Sequence, residues 1–510
     1  MSAPTGTVER RRASGLSSRW VGVVAAVVPA VVARALVGLG LLNLEQLIAA
    51  VLALGVLVLV ARRPAAAVAS LLVVLPFQLP LTALLFSVGV PGGVARMAAL
   101  WKELVVLAII LAAWRRSRDR GDDQPDGLDR CAGAFVILGT AYLLLPEVLV
   151  GGLGSELSMD ARFLAWRLVV LPSVLLIAAR RLRLDTDEVR RVLRGATAMA
   201  VLLAVAALVE VTFSDWWNHL LVDTVDIQRY RVEVLDVDLA RQGLSFIDIR
   251  VYGEVAGRLI VRAGGPMVSH LTFSFVLLIA LGVLLERLVR DDTTPAVLVG
   301  LIGCGVGLAY TQTRSSIVGA VIVLVMVLWA APGRPTASRA RYGVMAGIGL
   351  LVAVPLVLGS GLGDRFTHGD RFSDDIHSVH VDQAFDTVLH HPAGLGLGMG
   401  STAGGRAAKG AVSVENQPLD TAVQLGVLGS VLLFAQYGLL IAALGRAARR
   451  AEPTAQSMAF GIRASMVGFL VPLWYQQAFG LVEVAWVLFA IAGAALGAAE
   501  GDRRRAEARP

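Results

Sequence analysis

The feature that most narrows what this chain can become is the recurrence, along its whole length, of apolar stretches of 18 or more residues. Each is long enough to cross the hydrocarbon core of a bilayer as a helix. In that medium the backbone polar groups must be satisfied within the segment, so a helix is the natural solution. The expected spans are approximately 20–41, 44–61, 65–88, 96–114, 131–150, 163–179, 191–212, 267–287, 295–311, 315–331, 342–359, 420–444, 457–478 and 481–499. That is about fourteen spans, or twelve if the first two form a hairpin or one lies in the interface. Hydrophobic residues make up 56% of the chain and charged residues 17%, against about 45–50% and about 25% in soluble domains. A soluble enzyme, a fibrous protein and a disordered chain are excluded. The expected fold class is all-α: a polytopic transmembrane helix bundle with two long extracytoplasmic loops.

Orientation follows from arginine. Every second connection is arginine-rich: Arg10–Arg12, Arg62-Arg63, Arg115–Arg120, Arg180–Arg194, Arg287–Arg290, Arg334–Arg341, Arg446–Arg450 and Arg503–Arg505. Placing all of these in the cytoplasm puts both termini there as well. The net charge of +7, with only Lys102 and Lys409 as lysines, therefore reads as topology and not as a nucleic-acid surface. Arg10–Arg12 followed by an apolar stretch superficially resembles a signal peptide, but no convincing small-residue cleavage site follows, so a retained first helix is expected. Cys131 and Cys304 both fall in spans, and no disulfide or thiol metal site follows from them. The expected organisation is a cytoplasmic tail 1–19, membrane helices 20–212, a first long loop 213–266, membrane helices 267–359, a second long loop 360–419, membrane helices 420–499 and a cytoplasmic tail 500–510.

Loops as long as these two are usually functional. The first carries Trp216, Trp217 and Tyr230, aromatics suited to the membrane interface. The second holds His368, His377, His380, His390 and His391, then the glycine-rich Gly394–Gly400, then Glu415-Asn416. No Walker loop, paired-cysteine zinc pattern or His-Glu-x-x-His is present, and the glycine stretch is not in a βαβ unit. The histidines read as a solvated polar loop; neither a metal nor a cofactor is expected.

Ionisable groups at membrane depth are costly and mark substrate paths. Arg314, in Thr313-Arg314-Ser315-Ser316, sits at a tight external turn. Arg162 and Arg167 open another span, and Arg258 and Arg262 precede the one beginning at Gly264-Gly265-Pro266. Guanidinium groups grip phosphate oxygens bidentately, which would suit a lipid-linked diphosphate. The plainer alternative is that each snorkels to headgroups at a helix end.

These residues resemble the O-antigen ligase and O-antigen polymerase family of membrane glycosyltransferases. Thr313-Arg314-Ser315-Ser316 resembles that family's Ser-Arg-type turn, and Arg262-Ala263-Gly264-Gly265-Pro266 its Arg-x-Gly segment. The clearest likeness is His391-Pro392-Ala393-Gly394-Leu395-Gly396-Leu397-Gly398, then Glu415-Asn416, then Gly426-Val427-Leu428-Gly429. The resemblance implies extracytoplasmic transfer or polymerisation of a polyprenyl-diphosphate-linked glycan onto a hydroxyl, in cell-envelope polysaccharide biosynthesis at a bacterial cytoplasmic membrane. It implies a glycan donor, a glycan or lipid acceptor, membrane lipids around the site, and a flippase or chain-length partner; no nucleic acid is involved. The candidate catalytic residues are Glu415 and Arg314, and the candidate binding residues are Arg262, Arg371, Arg162, His391 and Asn416. Where the ligases tend to have histidine before asparagine, this chain has Glu415, leaving His390 and His391 as other candidates for the base. A carboxylate is competent as a base when partly desolvated; it would equally serve as a favourable charge at a helix start. The rival class is a transporter or flippase of a lipid-linked or small polar substrate, which would show repeated halves and broken helices near the midplane.

Overall fold

The computed structural model describes Gly55 and residues 62–118, 125–144, 157–237, 248–255, 258–290, 294–329, 371–400 and 411–507. The expected spans 342–359, 20–41 and nearly all of 44–61 lie outside these residues. Contacts divide the chain into residues 1–56 and 57–510, and every element below belongs to the second part.

The protein is a multi-pass, helical membrane protein. Eight helices among the described residues are long and apolar enough to cross a bilayer. They are α1 (Pro64–Ser87), α2 (Gly92–Arg118), α3 (Gly127–Leu144), α5 (Thr186–Thr212), α6 (His270–Val289), α10 (Gln417–Arg450), α11 (Pro453–Tyr475) and α12 (Val482–Glu507). A ninth, α4, comprises Met159–Val169 and Leu171–Arg181 and bends by 45°. Pro172, lacking an amide hydrogen, stands just after the bend. Two shorter apolar helices, α7 (Pro295–Thr311) and α8 (Arg314–Trp329), complete the apolar set. Helix starts follow their sequences. Asp185 and Glu188 form a reciprocal capping box on α5, with Asp185 Oδ1 accepting from Glu188 N at 2.8 Å. Ser158 and Ser269 cap α4 and α6.

Association of these helices relies on small residues, because lipid removes most of the hydrophobic drive between them. Gly303 of α7 lies directly on Ala204 of α5, Gly319 of α8 on Gly468 of α11, and Gly282 of α6 on Gly461 and Ser465 of α11. Gly493 and Gly497 of α12, spaced by four, lie on the backbone of α4 at Leu176 and Arg180. Helices α6 and α12 are enclosed on nearly all sides and form the centre.

The two ends of the bundle differ chemically. At one, arginines are tied into ion pairs: Arg116 with Glu188 at 2.8 Å, and Arg180 with Asp126 at 2.7 Å, with Asp129 at 3.0 Å and with Glu500. The Arg180 hydrogen bonds hold the Asp126 carboxyl down at about 2, against an ordinary 3.8. A carboxylate with a depressed value stabilises the fold above its ordinary pKa and loses that contribution as pH falls through the folded value. The melting temperature of the wild type in detergent is thus expected to exceed that of Asp126→Asn at pH 6, the gap closing between about pH 4 and pH 2. A gap unchanged at pH 2 would refute the assignment.

The opposite end carries the described residues of both long connections, which hold more regular structure than the expected loops. In the first, Ser214–His219 and Ile227–Glu233 are helical, and Val251–Val255 (β1) pairs antiparallel with Arg258–Arg262 (β2), Val251 opposite Arg262. The all-α class stands, with this short hairpin added in a connection. Tyr230 is buried with Leu221, Val225 and Ile227 against Ala83 of α1 and Ala95 of α2, so it is core and not an interfacial anchor; Trp216 is exposed. In the second connection Arg371–His390 is a 20-residue helix, α9. His377 and His380 stand at helical spacing, and Ala384 and Val388 continue the same face, which a solvated loop does not account for. The tail expected from residue 500 continues α12 to Glu507.

Candidate functional site

Arg262 closes β2 and folds onto the end of α7. Its Nε donates to Thr311 O at 3.0 Å and an Nη to Gln312 O at 3.3 Å, while Ala263 N donates to Tyr310 O at 3.0 Å. A guanidinium suits a helix C-terminus, where carbonyls lack intrahelical partners and the dipole is negative. The next residues meet a carboxylate: Glu210, at the end of α5, accepts from Gly264 N at 3.1 Å and Gly265 N at 2.7 Å. Gly265 has φ +57° and faces the Phe273 ring so closely that a Cβ would lie 2.7 Å from it. Arg262-Ala263-Gly264-Gly265 is therefore a joint binding α5, α6 and α7, and it fixes the turn from which Arg314 starts α8. Behind that turn, the buried hydroxyls of Ser316 and Ser274 are 2.8 Å apart.

The second construction is built on a broken helix. Within α10, Gly426 has φ 72° and ψ 176°, which is not helical. The chain turns so sharply there that Ser430 Oγ donates to Pro418 O at 2.9 Å. Twelve residues of straight helix would separate those positions by about 18 Å, so residues 417–425 fold back beside the remainder. In an unbroken helix Val427 N would donate to Val423 O. Here Val427 N donates to Pro392 O at 2.9 Å, and Val423 O accepts from Leu395 N at 2.6 Å. The glycine-rich stretch thus completes the broken helix. It continues along residues 417–425: Gly398 N donates to Gln424 Oε1 at 3.0 Å, and a Cβ at Gly400 would meet Asp420 at 2.5 Å. Gly394, Gly396 and Gly398 all have positive φ. Arg162 and Tyr142 support this stretch from behind, since an Arg162 Nη donates to Tyr142 O and the Tyr142 hydroxyl to Ala393 O.

Glu415 and Asn416 stand at the foot of the folded-back piece. Asn416 caps it, Oδ1 accepting from Leu419 N at 3.0 Å, while its Nδ2 donates to Trp474 O at 2.7 Å at the end of α11. Glu415 meets α9: His377 Nδ1 is 2.9 Å from Oε2 and His380 Nδ1 is 3.5 Å from Oε1. The His377 ring also lies 5.9 Å from that of Tyr475. The apolar seat of α9 is Ala384 and Val388 against Val414, Leu419 and Val423.

Helix directions bring these two constructions to one level. Ser274 and Leu278 of α6 meet Ser316 and Gly319 of α8, so those helices run parallel. Ser465 bonds to Leu278 O while Gly461 faces Gly282, so α11 runs antiparallel to both. From the Gly319–Gly468 crossing, Arg314 lies about 7.5 Å and Tyr475 about 10 Å toward the same end, at 1.5 Å per residue. Arg314 and the Tyr475–His377–Glu415 group therefore share one height on neighbouring helices.

The expected site residues fall as follows. Arg314, Arg262, Glu415 and Asn416 gather at this end, Arg262 on backbone carbonyls and Asn416 as a cap. Arg162 supports the glycine stretch. His391 follows α9 at the turn before it; His390 Nδ1 lies 2.9 Å from Asp386 O. Arg371 begins α9, and its side chain lies outside the described ones. Arg167 is paired with Glu103 at 2.6 Å. The sequence did not single out Glu210 or Tyr475, and His377 and His380 were read there as part of a solvated loop. The two histidines did carry a signal in their helical spacing.

Against this geometry, residues 298–434 match the family model described as O-antigen ligase. The match takes in Arg314, α9, Glu415-Asn416 and the break at Gly426, about a quarter of the chain. That family comprises glycosyltransferase-like enzymes of cell-surface polysaccharide assembly. No curated protein matches the chain.

Proposed function

Proceeding from that match, we propose that this protein transfers a glycan from a polyprenyl diphosphate to an acceptor hydroxyl on the outer side of a bacterial cytoplasmic membrane. The observation that carries the reading is the common level of Arg314 and the Glu415 group, reached from segments far apart in sequence. The arginine-rich end takes the cytoplasmic side by the positive-inside rule, which puts the site end outside the cytoplasm. A donor with its tail in the bilayer would present its diphosphate near the helix ends.

The chemistry asks for two things. Negative charge develops on the departing diphosphate and needs fixed cations. Arg314 supplies the charge, Arg262 pins its turn and adds a second guanidinium, and Arg162 and Arg371 are outer candidates. The acceptor hydroxyl must lose a proton as it attacks the anomeric carbon from the face opposite the leaving group; Glu415 serves that activation. Asn416 holds the segment in place through its cap and its bond to α11, and His391 borders the acceptor side.

A broken helix is also a transporter device, and α10 is broken, so moving the lipid-linked glycan without consuming it is the second reading. Purified protein in liposomes decides between them. Wild type is expected to convert the polyprenyl-diphosphate glycan into polyprenyl diphosphate plus elongated or ligated acceptor, and Glu415→Gln to do so at least a hundredfold more slowly. Translocation of intact donor with no product would refute transfer and support transport.

A further inference from the structure

We infer that the proton acceptor of this site is the His377 imidazole, with Glu415 as the group that orients it and balances its charge, an inference that rests on the glycan-transfer reading. Three contacts fix that ring. His377 Nδ1 lies 2.9 Å from Glu415 Oε2, Tyr475 packs at 5.9 Å between ring centroids, and α9 is seated by Ala384 and Val388 on the folded-back piece of α10. A histidine in a merely solvated loop has no such set of partners. With Nδ1–H given to the carboxylate, the tautomer is set and Nε2 keeps its lone pair for an incoming hydroxyl, the logic of carboxylate–imidazole pairs in general. Imidazole as a class is also a stronger base than a carboxylate by about two powers of ten, a better match to work near neutral pH.

His380 is the lesser partner. At 3.5 Å its Nδ1 is within ion-pair range of Glu415 Oε1 but beyond good hydrogen-bond distance. It lies one turn along α9 on the same face as His377. The described titratable groups facing His377 are thus Glu415, His380 and Tyr475. Glutamate before Asn416 is in this view not a histidine lost: the imidazole comes from the preceding helix, and the carboxylate holds it.

In the step itself the acceptor oxygen forms a bond to the anomeric carbon, whose bond to the diphosphate oxygen breaks with its electron pair staying on the diphosphate. The hydroxyl proton passes to His377 Nε2, the imidazolium is stabilised by Glu415, and the proton is then released to water.

The test uses full-length protein in liposomes with a polyprenyl-diphosphate glycan donor. His377→Ala is expected to lose 10²–10⁴-fold in kcat, with donor KM within about threefold of wild type and part of the rate restored by added imidazole. His380→Ala is expected to lose less than tenfold. The ring is half-buried at the surface of α9, and a monodisperse elution profile confirms that the variants fold. His377→Ala turnover within threefold of wild type, or an impaired variant that imidazole does not restore, would overturn the inference while leaving transfer intact. Activity abolished by a chelator and restored by zinc would also overturn it, assigning the same donors to a metal. Wild type that transfers no glycan from any such donor overturns the transfer reading, and the inference with it.

Discussion

Arg314→Ala is expected to lower glycan transfer by three powers of ten or more, with yield and melting temperature of the protein little changed. The size follows from phosphate chemistry elsewhere, where one arginine on the charge of a transition state is worth on the order of 10³–10⁵ in kcat. The unchanged stability follows from position. Arg314 is the first residue of α8, and a cation at the positive end of a helix dipole opposes the helix instead of strengthening it. A diphosphate beside that end would be a favourable counter-charge for the arginine and the dipole alike. Arg314→Lys keeps the charge but not the bidentate geometry, and should fall between wild type and alanine. Initial rates of donor consumption in liposomes check both variants. Near-normal turnover by the alanine variant would remove Arg314 from the chemistry.

Gly426→Ala should act through the fold. Its φ of 72° with ψ of 176° is a region essentially confined to glycine, and other residues there cost of order 1–3 kcal/mol. A Cβ would also lie 2.7 Å from Ala393 C and Pro392 O, so the glycine stretch has to lift. Lifting it removes partners from Val427 N and Val423 O, at about 1–3 kcal/mol for each buried group left unpaired. Together these come to about 3–9 kcal/mol, a large part of the roughly 5–15 kcal/mol typical of whole domains. The variant is expected to be poorly recovered from membranes, to melt far below wild type and to be inactive. Gly438→Ala is the matched control. Its position in the same helix has nothing within 4 Å of an added Cβ, and the better helix propensity of alanine should leave stability equal or slightly raised. Equal melting of the two variants would refute the docking described for the glycine stretch.

The spans were legible because hydrophobic length is a one-dimensional property: eleven of the expected segments coincide with apolar helices, from Pro64–Ser87 to Val482–Glu507. Arg314, Glu415 and Asn416 stood out as candidates because charged and amide groups beside long apolar runs are conspicuous. What the sequence concealed depends on partners distant along the chain. Glu210 reads as one more acid near the end of a span until Gly264 and Gly265 offer it their amides. Gly426 reads as a helix-packing glycine, since nothing local tells that Pro392 and Leu395 complete its hydrogen bonds. The histidines of α9 had the spacing of a helix face, but only Val414 and Val423 turn that face toward Glu415.

The reversal at Gly426 also divides α10 electrically. An unbroken helix of 34 residues would have its positive pole at Asn416 and its negative pole about 50 Å away. Divided, the segment 417–425 has poles only about 13 Å apart. Across the reversal its negative pole lies next to the positive pole of the stretch that starts at Val427, and the two offset each other. The helix dipole felt at Glu415 is then that of only about two and a half turns.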